Sequence, residues 1–211
     1  MNTTGIPHCG PLARAEDEPC PSTGRPPWDI GRPQPAFVAL ARAGAFRGRV
    51  LDVGCGTGEQ AVLAAQLGLD VTGIDLDEAA LCIAERKLAE RGLTARFLQV
   101  DARRLTELDG EPFGTVIDCE LFHILDGADR AAYVHGLGSV LRPGGRYFVL
   151  CYSDAQPDVP HRVSLGDILD AFTTGWRIDS IEPATVDTNV HPTGVRGWLA
   201  ALTRTSEDAP C

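Results

Sequence analysis

Three glycines spaced two apart are the first candidates for chemistry in this sequence. Gly54, Gly56 and Gly58 follow an apolar run that contains Asp52, and they precede Glu59 and a second apolar run. This order predicts a strand, a glycine turn and a helix. Glycines in such a turn let a ligand lie against bare main chain, where side chains would collide with it. The turn therefore predicts a binding site for a small molecule.

The spacing and the first helical residue restrict that ligand. A dinucleotide site uses the spacing G-x-G-x-x-G and holds a pyrophosphate at the helix N-terminus, whereas this turn reads G-x-G-x-G and is followed by Glu59. A carboxylate there suits the helix dipole but repels an anion. We therefore expect a nucleoside ligand that is cationic or carries no phosphate. A structural glycine turn in another α/β protein is the alternative.

Acidic residues recur where the predicted strands end. Asp75 ends the run that begins at Asp70, about 20 residues beyond the turn, where a carboxylate can accept hydrogen bonds from ribose hydroxyls. Asp77 suits the N-cap of the next helix better, since Asp75 still lies in the strand. Asp101 and Asp118 end the third and fourth predicted strands. An N-cap role is the alternative for Asp101.

Several motifs carry a family resemblance. The run from Leu51 to Gly58 closely resembles the first motif of class I S-adenosylmethionine-dependent methyltransferases. Pro27-Trp28-Asp29-x-Gly31-x-x-x-Pro35 is similar to the preceding segment of thiopurine methyltransferase, plant halide and thiol methyltransferases, and mycobacterial heterocyclic-toxin methyltransferases. Asp118-x-x-Leu121-Phe122-His123 resembles the mycobacterial group, and Leu141-Arg142-Pro143-Gly144-Gly145 is a further landmark of class I enzymes. The resemblance implies S-adenosylmethionine as cofactor and S-adenosylhomocysteine as product.

The same resemblance implies the site residues. In this group the tryptophan region closes over the methionine end of the cofactor, although simple packing is the alternative for Trp28. Asp75 would contact the ribose, and Asp101 the adenine amino group. The expected cofactor-binding residues are Trp28, Gly31, Asp52, Gly54, Cys55, Gly56, Thr57, Gly58, Asp75, Leu76, Asp101, Ala102, Asp118 and Cys119. The expected substrate-binding residues are Phe122, His123, Tyr152 and His161.

For the fold, the resemblance implies the α/β Rossmann-like class I methyltransferase architecture. It implies a seven-stranded, mostly parallel sheet in the order 3-2-1-4-5-7-6, with strand 7 antiparallel and helices on both faces. A sharp turn is expected at Arg142–Gly145, and a substrate lid over Ser153–Val163. We expect one domain over residues 25–205 that includes an N-terminal lid segment, with flexible tails over residues 1–24 and 206–211. Residues 10 to 35 are expected to order over the bound cofactor.

Composition restricts the partners. The formal net charge is -10, and the sequence shows no basic face of the kind that nucleic-acid binding requires. The expected partner is therefore a small-molecule acceptor. The chain has no run of about 18 apolar residues and no signal pattern, which predicts no membrane association and a cytoplasmic location. The seven cysteines include no C-x-x-C pair, so no metal is expected. The sequence leaves the oligomeric state open.

The sequence assigns no catalytic residue. His123 is the candidate general base, with a structural role as the alternative. A sulfonium methyl donor chiefly needs an aligned nucleophile and exclusion of water. The favoured acceptor is a small thiol, ahead of a heterocyclic nitrogen or oxygen, in natural-product or xenobiotic metabolism. The alternatives are a metalloid methyltransferase that binds an arsenite-type ion through Cys119, Cys151 and a tail cysteine such as Cys20, and a non-catalytic cofactor-binding protein.

Overall fold

The computed structural model describes residues 26–206, so most of both predicted tails, with Cys20, lies outside the described residues. Within this range the strands are β1 (Val50–Val53), β2 (Val71–Asp75), β3 (Arg96–Gln99), β4 (Phe113–Cys119), β5 (Leu141–Tyr152), β6 (Trp176–Val186) and β7 (Val195–Arg204). The α-helices are α1 (Pro35–Arg42), α2 (Glu59–Gln66), α3 (Glu78–Glu90), α4 (Gly127–Val140) and α5 (Leu165–Ala171), and two 3₁₀ helices span Ala102–Glu107 and Phe122–Ile124.

The strands form one sheet in the order β3-β2-β1-β4-β5-β7-β6. The pairs from β3 to β5 are parallel, and β7 runs antiparallel to both β5 and β6. This confirms the expected fold class and strand order. Since the parallel strands share one direction, the carboxyl ends of β1, β2 and β4 meet at the same edge of the sheet, where open α/β sheets bind ligands.

Helices cover both faces of the sheet, which explains why β1 is buried along its whole length. One hydrophobic cluster includes Tyr133 and Leu137 of α4 together with Phe172. The other includes Phe37 of α1 and Ala61 of α2. None of the helices within residues 26–206 is both long enough and apolar enough to cross a lipid bilayer.

The expected turn at Arg142–Gly145 is placed differently in the structure. Phe113 pairs with Leu141 and Thr115 pairs with Arg146, so the residues between Leu141 and Arg146 form an irregularity inside β5 rather than a separate connection. Gly144 supplies the positive φ of 74° that this bend requires. The sharp turn is therefore present, but it lies inside β5 because pairing with β4 begins before the bend.

Candidate active site

The glycine turn joins β1 to α2 and is braced by the end of β2. The Gly56 N–H donates to Asp75 Oδ2 at 2.8 Å. Gly56 has a φ of 50°, and a Cβ added there would lie 2.7 Å from the Trp28 ring. Glycine at position 56 therefore allows the tryptophan of the N-terminal segment to lie against the main chain of the turn.

A cavity of about 540 Å³ opens beside this turn, at the carboxyl ends of β1, β2 and β4. The predicted site residues that line it are Trp28, Asp52, Gly54, Cys55, Gly56, Thr57, Asp75, Leu76, Asp101, Ala102, Cys119 and Tyr152. The lining residues that were not predicted are Pro27, Asp29, Ile30, Arg32, Gln34, Glu59, Gln60, Val100, Arg103, Glu120, Leu121, Ile124 and Leu125. The strand and turn positions were therefore found from the sequence more completely than the residues that flank them.

The remaining predicted residues do not line the cavity in this structure, so their contacts with a ligand stay predictions. These residues are Gly31, Gly58, Asp118, Phe122, His123 and His161. The Gly31 N–H instead donates to Asp29 Oδ1 at 3.1 Å. A Cβ added at Gly58 would lie 2.7 Å from the Ala84 Cβ, so this glycine permits close packing of α2 on α3. His161 is exposed on the segment that follows β5.

Asp118 lies beneath the cavity and is completely buried. Its Oδ2 accepts hydrogen bonds from the hydroxyls of Tyr133 at 2.7 Å and Tyr147 at 2.8 Å. Its Oδ1 accepts from the backbone N–H groups of Leu121 at 2.9 Å and Phe122 at 3.2 Å. Burial raises the pKa of Asp118 to about 6, against the lowering effect of these four donors. The carboxylate therefore holds the start of the 3₁₀ helix after β4, and this role keeps it from the cavity.

His123 is buried and stacks on Tyr152, with 4.2 Å between ring centroids. The Tyr152 N–H donates to His123 Nδ1 at 3.4 Å. Burial lowers the pKa of His123 to about 4, with smaller contributions from His161 and Arg130. The imidazole is therefore neutral at physiological pH and faces the tyrosine rather than the cavity. The alternative of a structural role fits this position.

Asp52 differs from the other acids because one of its oxygens is buried and unpaired. Its residue exposure is 1%, and its Oδ2 has no hydrogen-bond partner among residues 26–206. Burial raises the pKa of Asp52 to about 8, opposed by a hydrogen bond from the Ala61 N–H and reinforced by Asp118 and Asp75. A buried carboxylate oxygen without a hydrogen-bond partner is costly unless a ligand completes it. Asp52 lines the cavity, so it is placed to receive a cationic group.

Asp75 and Asp101 lie at the ends of β2 and β3. Asp75 accepts from Gly56 through Oδ2 and from the Asp77 N–H through Oδ1 at 2.9 Å, which leaves further lone pairs on both oxygens. Asp77 is the N-cap of α3, as predicted. Asp101 is the N-cap of a 3₁₀ helix, and a side-chain hydrogen bond from Arg103 lowers its pKa. The alternative role for Asp101 is therefore present in the structure, although this carboxylate also lines the cavity.

Glu59 does not present an unpaired negative charge to the cavity. Lys87, the only lysine in the sequence, places Nζ 2.6 Å from Glu59 Oε1 and donates to Thr57 Oγ1 at 2.8 Å. Both charged side chains are largely shielded from solvent, with exposures of 17% and 11%. Glu59 therefore repels an anion less than its sequence position suggested, since Lys87 of α3 compensates its charge.

A polar cluster missed by the sequence analysis lies under the N-terminal segment. Gln34 Nε2 donates to Glu120 Oε1 at 3.2 Å, and the Gln34 N–H donates to Gln60 Oε1 at 3.3 Å. Gln60 Nε2 in turn contacts Cys119 Sγ at 3.4 Å. The only sequence signal for this cluster was the acidic Glu120 directly after β4, beside the motif at Asp118.

The loop between β6 and β7 fixes the N-terminal segment beside the cavity. Asn189 Nδ2 donates to the carbonyl oxygens of Pro26 at 3.0 Å and Asp29 at 2.5 Å, and its N–H donates to Pro27 O at 2.9 Å. Asp187 exchanges two hydrogen bonds with the Gln34 amide, at 2.8 and 2.9 Å. The position of Trp28 is thus set by residues about 160 positions later in the chain.

The expected substrate lid at Ser153–Val163 does not cover the cavity in this structure. Ser153 and Val163 form a β-bridge, and Val163 is completely buried while Val159 is 8% exposed. Within the described residues, none from 153 to 163 lines the cavity. Backbone hydrogen bonds from Ser153 to Arg196 and from Val163 to Tyr152, together with the burial of Val163, explain this placement.

Comparisons with known proteins agree with this architecture. Residues 50–145 match the family described as "Methyltransferase domain". A 2-heptyl-1-hydroxyquinolin-4(1H)-one methyltransferase of Mycobacteroides abscessus is 38% identical over 170 residues, which cover 78% of this chain and 74% of that protein. The chain belongs to the class I S-adenosylmethionine-dependent methyltransferases.

Other methyltransferases and one solved structure extend the similarity. A thiocyanate methyltransferase of Brassica oleracea is 29% identical over 169 residues, covering 78% of this chain and 75% of that protein. A structure solved in work on the conversion of a disulfide bond into a thioacetal group during echinomycin biosynthesis is 39% identical, with a TM-score of 0.79 and coverage of 88% of this chain and 87% of that chain. Methyltransferases of this fold use S-adenosylmethionine as the methyl donor.

The cavity of this methyltransferase fits that donor chemically. S-adenosylmethionine presents two cationic groups, a ribose diol and an adenine ring. The unpaired buried oxygen of Asp52 matches a cationic group, and Gly56 offers main chain without a Cβ. The Asp75 carboxylate keeps lone pairs that hydroxyls can use. When bound, the donor supplies an electrophilic methyl group.

Cys119 and Cys151 of this methyltransferase cannot share an ion. Cys119 pairs in register with Leu150 on β5, so these two side chains point to one face of the sheet and Cys151 points to the other. Consistently, Cys151 belongs to one hydrophobic cluster and Cys119 packs against the second. Burial raises the pKa of both thiols, that of Cys151 to about 12. The metalloid hypothesis was therefore wrong for this pair.

A metal site is also missing from the described part of the chain. No group of three histidine, cysteine, aspartate or glutamate side chains within residues 26–206 is arranged to hold a metal ion.

Proposed function

We propose that this methyltransferase transfers a methyl group from S-adenosylmethionine to a thiol, or to a ring nitrogen or an oxygen, of a small apolar heterocycle. The apolar rim of the cavity carries this proposal. Leu121, Ile124 and Leu125 line the cavity beyond the end of β4, and Ile124 is 51% exposed. Large apolar side chains that stay exposed around a concave site mark a surface for an apolar ligand.

The cofactor roles proposed here follow the chemistry of the lining residues. Asp52 would pair with the methionine ammonium, and Asp75 would accept hydrogen bonds from the ribose hydroxyls. Asp101 and the Ala102 amide would contact the adenine. Trp28 would pack near the sulfonium, which its aromatic face attracts.

A largely neutral acceptor fits the charges at the cavity. Arg32 is paired with Asp187 at 2.7 Å. Arg103 is paired with Asp101 at 2.6 Å and with Asp129 at 3.2 Å. Both arginines that line the cavity therefore have their charge compensated within the chain, which leaves little to attract an anionic substrate. One relative is named for a hydroxyquinolinone, which supports a nitrogen or oxygen acceptor, and another is named for thiocyanate, which supports a sulfur acceptor.

The test has two stages. Calorimetry with S-adenosylhomocysteine measures cofactor binding, and a transfer assay then uses S-adenosylmethionine with a deuterated methyl group. The acceptors are a 1-hydroxyquinolin-4(1H)-one, a heteroaromatic thiol, and arsenite as a negative control. Mass spectrometry and NMR of the product identify the methylated atom. Binding without transfer to any acceptor would favour the non-catalytic alternative, and absence of binding would contradict the proposal altogether.

A further inference from the structure

Glu120 has an unusual backbone conformation at the edge of the cavity. It follows β4 directly, and its φ is 71°, one of only two positive φ values among the non-glycine residues of the described chain. The Glu120 N–H donates to Leu150 O at 2.9 Å, which holds this conformation against β5. Glutamate rarely adopts positive φ, and such outliers concentrate at functional sites.

Fixed partners hold the Glu120 carboxylate at the cavity wall. Gln34 Nε2 donates to Oε1 at 3.2 Å, and Gln34 is itself fixed by two hydrogen bonds to the main chain of Asp187. Cys119 Sγ contacts the same Glu120 oxygen at 3.9 Å, and the Tyr152 hydroxyl lowers the pKa of the Glu120 carboxylate. A carboxylate has about four acceptor sites, so these three neighbours leave it able to accept a proton from a molecule in the cavity.

We infer that Glu120 is the general base that removes the proton of a hydroxyl-bearing acceptor in this methyltransferase. The inference rests on the proposed function and deepens it. The proton of the acceptor hydroxyl passes to the Glu120 carboxylate. The acceptor oxygen forms a bond to the methyl carbon, and the bond from this carbon to sulfur breaks. The electron pair of the broken bond stays on sulfur, so the sulfonium becomes a neutral thioether.

The surroundings of Glu120 suit this role. The titratable groups that face it are Asp118 and Cys119 of β4 and Tyr152 of β5. Burial raises the pKa of Glu120 to about 7, opposed by hydrogen bonds from Tyr152, Gln34 and Cys119 and reinforced by Asp118. A base whose pKa lies near the working pH accepts protons efficiently. His123, in contrast, does not line the cavity, and its Nδ1 receives the Tyr152 N–H.

The first experiment compares Glu120→Gln with the wild type on ring-substituted phenols. Glutamine keeps an oxygen that can accept from Gln34 but cannot take a proton. The turnover of weakly acidic phenols is expected to fall on the order of a hundredfold, whereas 4-nitrophenol and thiophenol, which ionise more readily, lose only a few-fold. Glu182→Gln is the control, since Glu182 is exposed on β6 and does not line the cavity.

A second experiment needs no methyl transfer. The absorbance of 4-nitrophenol bound to the protein with S-adenosylhomocysteine reports its ionisation. A carboxylate in contact with the phenol oxygen raises the phenol pKa, so bound nitrophenol is expected to ionise at higher pH in the wild type than in Glu120→Gln.

A third experiment uses Tyr152→Phe, which removes a hydroxyl that lowers the pKa of Glu120. The pH dependence of phenol turnover is expected to move to higher pH in this variant.

The outcomes are distinguishable. Equal losses for all phenols and thiophenol, or an identical nitrophenol pKa in both proteins, would overturn the role of Glu120. Weaker binding of S-adenosylhomocysteine to Glu120→Gln would instead assign the carboxylate to the cofactor and also overturn it. Transfer to thiophenol but to no phenol would refute the base while leaving the methyltransferase proposal standing. If the wild type transfers to nothing, the proposed function fails, and the nitrophenol titration still decides whether Glu120 faces an acceptor.

Discussion

Asp52 and Asp118 occupy neighbouring strands and are both buried, yet their partners give them different capacities. Asp118 pairs in register with Val53 rather than with Asp52, so the two carboxylates point to opposite faces of the sheet. Asp118 receives four hydrogen bonds. Asp52 keeps an unpaired oxygen at the cavity. At the scale of residues, a carboxylate oxygen without a partner distinguishes an aspartate that can bind a ligand from one that only holds the fold.

Asp52→Asn tests this distinction through pH. Burial raises the pKa of Asp52 to about 8, so the free protein holds a proton there at neutral pH, whereas a cationic ligand favours the carboxylate. Cofactor binding should therefore release a proton, and affinity should rise between about pH 6 and 8. Asparagine should remove this pH dependence and cost on the order of 1.5 to 3 kcal/mol of binding free energy. Calorimetry of S-adenosylhomocysteine in two buffers of different ionisation enthalpy measures both effects.

The control for this measurement is Asp70→Asn, because Asp70 is exposed and pairs with Arg49 away from the cavity. Equal proton release in the wild type and in Asp52→Asn would contradict the assigned role.

Valine substitutions at two glycines of the turn should cause different defects, one in cofactor binding and one in stability. At Gly56 the new side chain would displace Trp28 and block the cavity, so cofactor binding should be lost while the fold is retained. At Gly58 it would collide with Ala84 across the α2 and α3 interface, and the free energy of unfolding should fall by about 3 kcal/mol. Chemical denaturation together with calorimetry separates the two defects. Normal cofactor binding by Gly56→Val would refute the first expectation.

At the scale of elements, the β6–β7 loop and the N-terminal segment behave as one unit. Residues 187 and 189 supply hydrogen bonds that fix Pro26, Pro27, Asp29 and Gln34. The segment therefore depends on an edge hairpin for its position and on the glycine turn for the surface that Trp28 contacts. A change in the loop should therefore reach the cavity through these hydrogen bonds, although no residue of the loop itself lines the cavity.

Asn189→Ala tests this coupling, because it removes two side-chain hydrogen bonds to the segment, and Asn189 does not itself line the cavity. Cofactor affinity should fall by about 1 to 2 kcal/mol. Trp28→Ala should cost about 0.5 to 2 kcal/mol through loss of the aromatic contact. Hydrogen exchange with and without S-adenosylhomocysteine should show cofactor-dependent protection of residues 10 to 35 that both variants reduce. Protection that is the same with and without cofactor in the wild type would refute closure of this segment.

The whole molecule is organised by one sheet that two hydrophobic clusters share. Both clusters draw residues from the central strands, including Val53 and Val116 in one and Val50 and Ile117 in the other. Because loss of the sheet would expose both clusters, residues 26–206 are expected to unfold in one cooperative transition. The cavity lies at the edge of this sheet, so its ligand is coupled to global stability.

Cofactor should therefore stabilise the entire protein. At a ligand concentration about 100 times Kd, S-adenosylhomocysteine should add about 2.7 kcal/mol to the free energy of unfolding, which corresponds to a rise in Tm of roughly 5 to 10 °C for a domain of this size. Differential scanning calorimetry measures the shift, and adenosine alone, which lacks the ammonium that Asp52 would bind, should give less. Two separate transitions, only one of which responds to cofactor, would contradict a single cooperative unit.

The sequence by itself determined the features that depend on neighbouring residues. Apolar runs, the glycine turn and the N-cap at Asp77 are local, and the strand ends place Asp52, Asp75 and Asp101 at one edge once a parallel sheet is assumed. The strand order came from resemblance, because hydrophobic periodicity does not specify which strands pair. The fold and many of the residues that line the cavity could therefore be predicted from the sequence and the resemblance.

Tertiary structure decided what depends on distant contacts and on burial. Lys87 compensates Glu59 from 28 positions away, and Asn189 holds Asp29 across 160 positions. Asp118 and Glu120 lie two residues apart in the sequence, yet the positive φ of Glu120 turns that side chain to the cavity while Asp118 is held below it. Spacing along the chain cannot predict these differences, because they arise from partners that folding alone brings into contact.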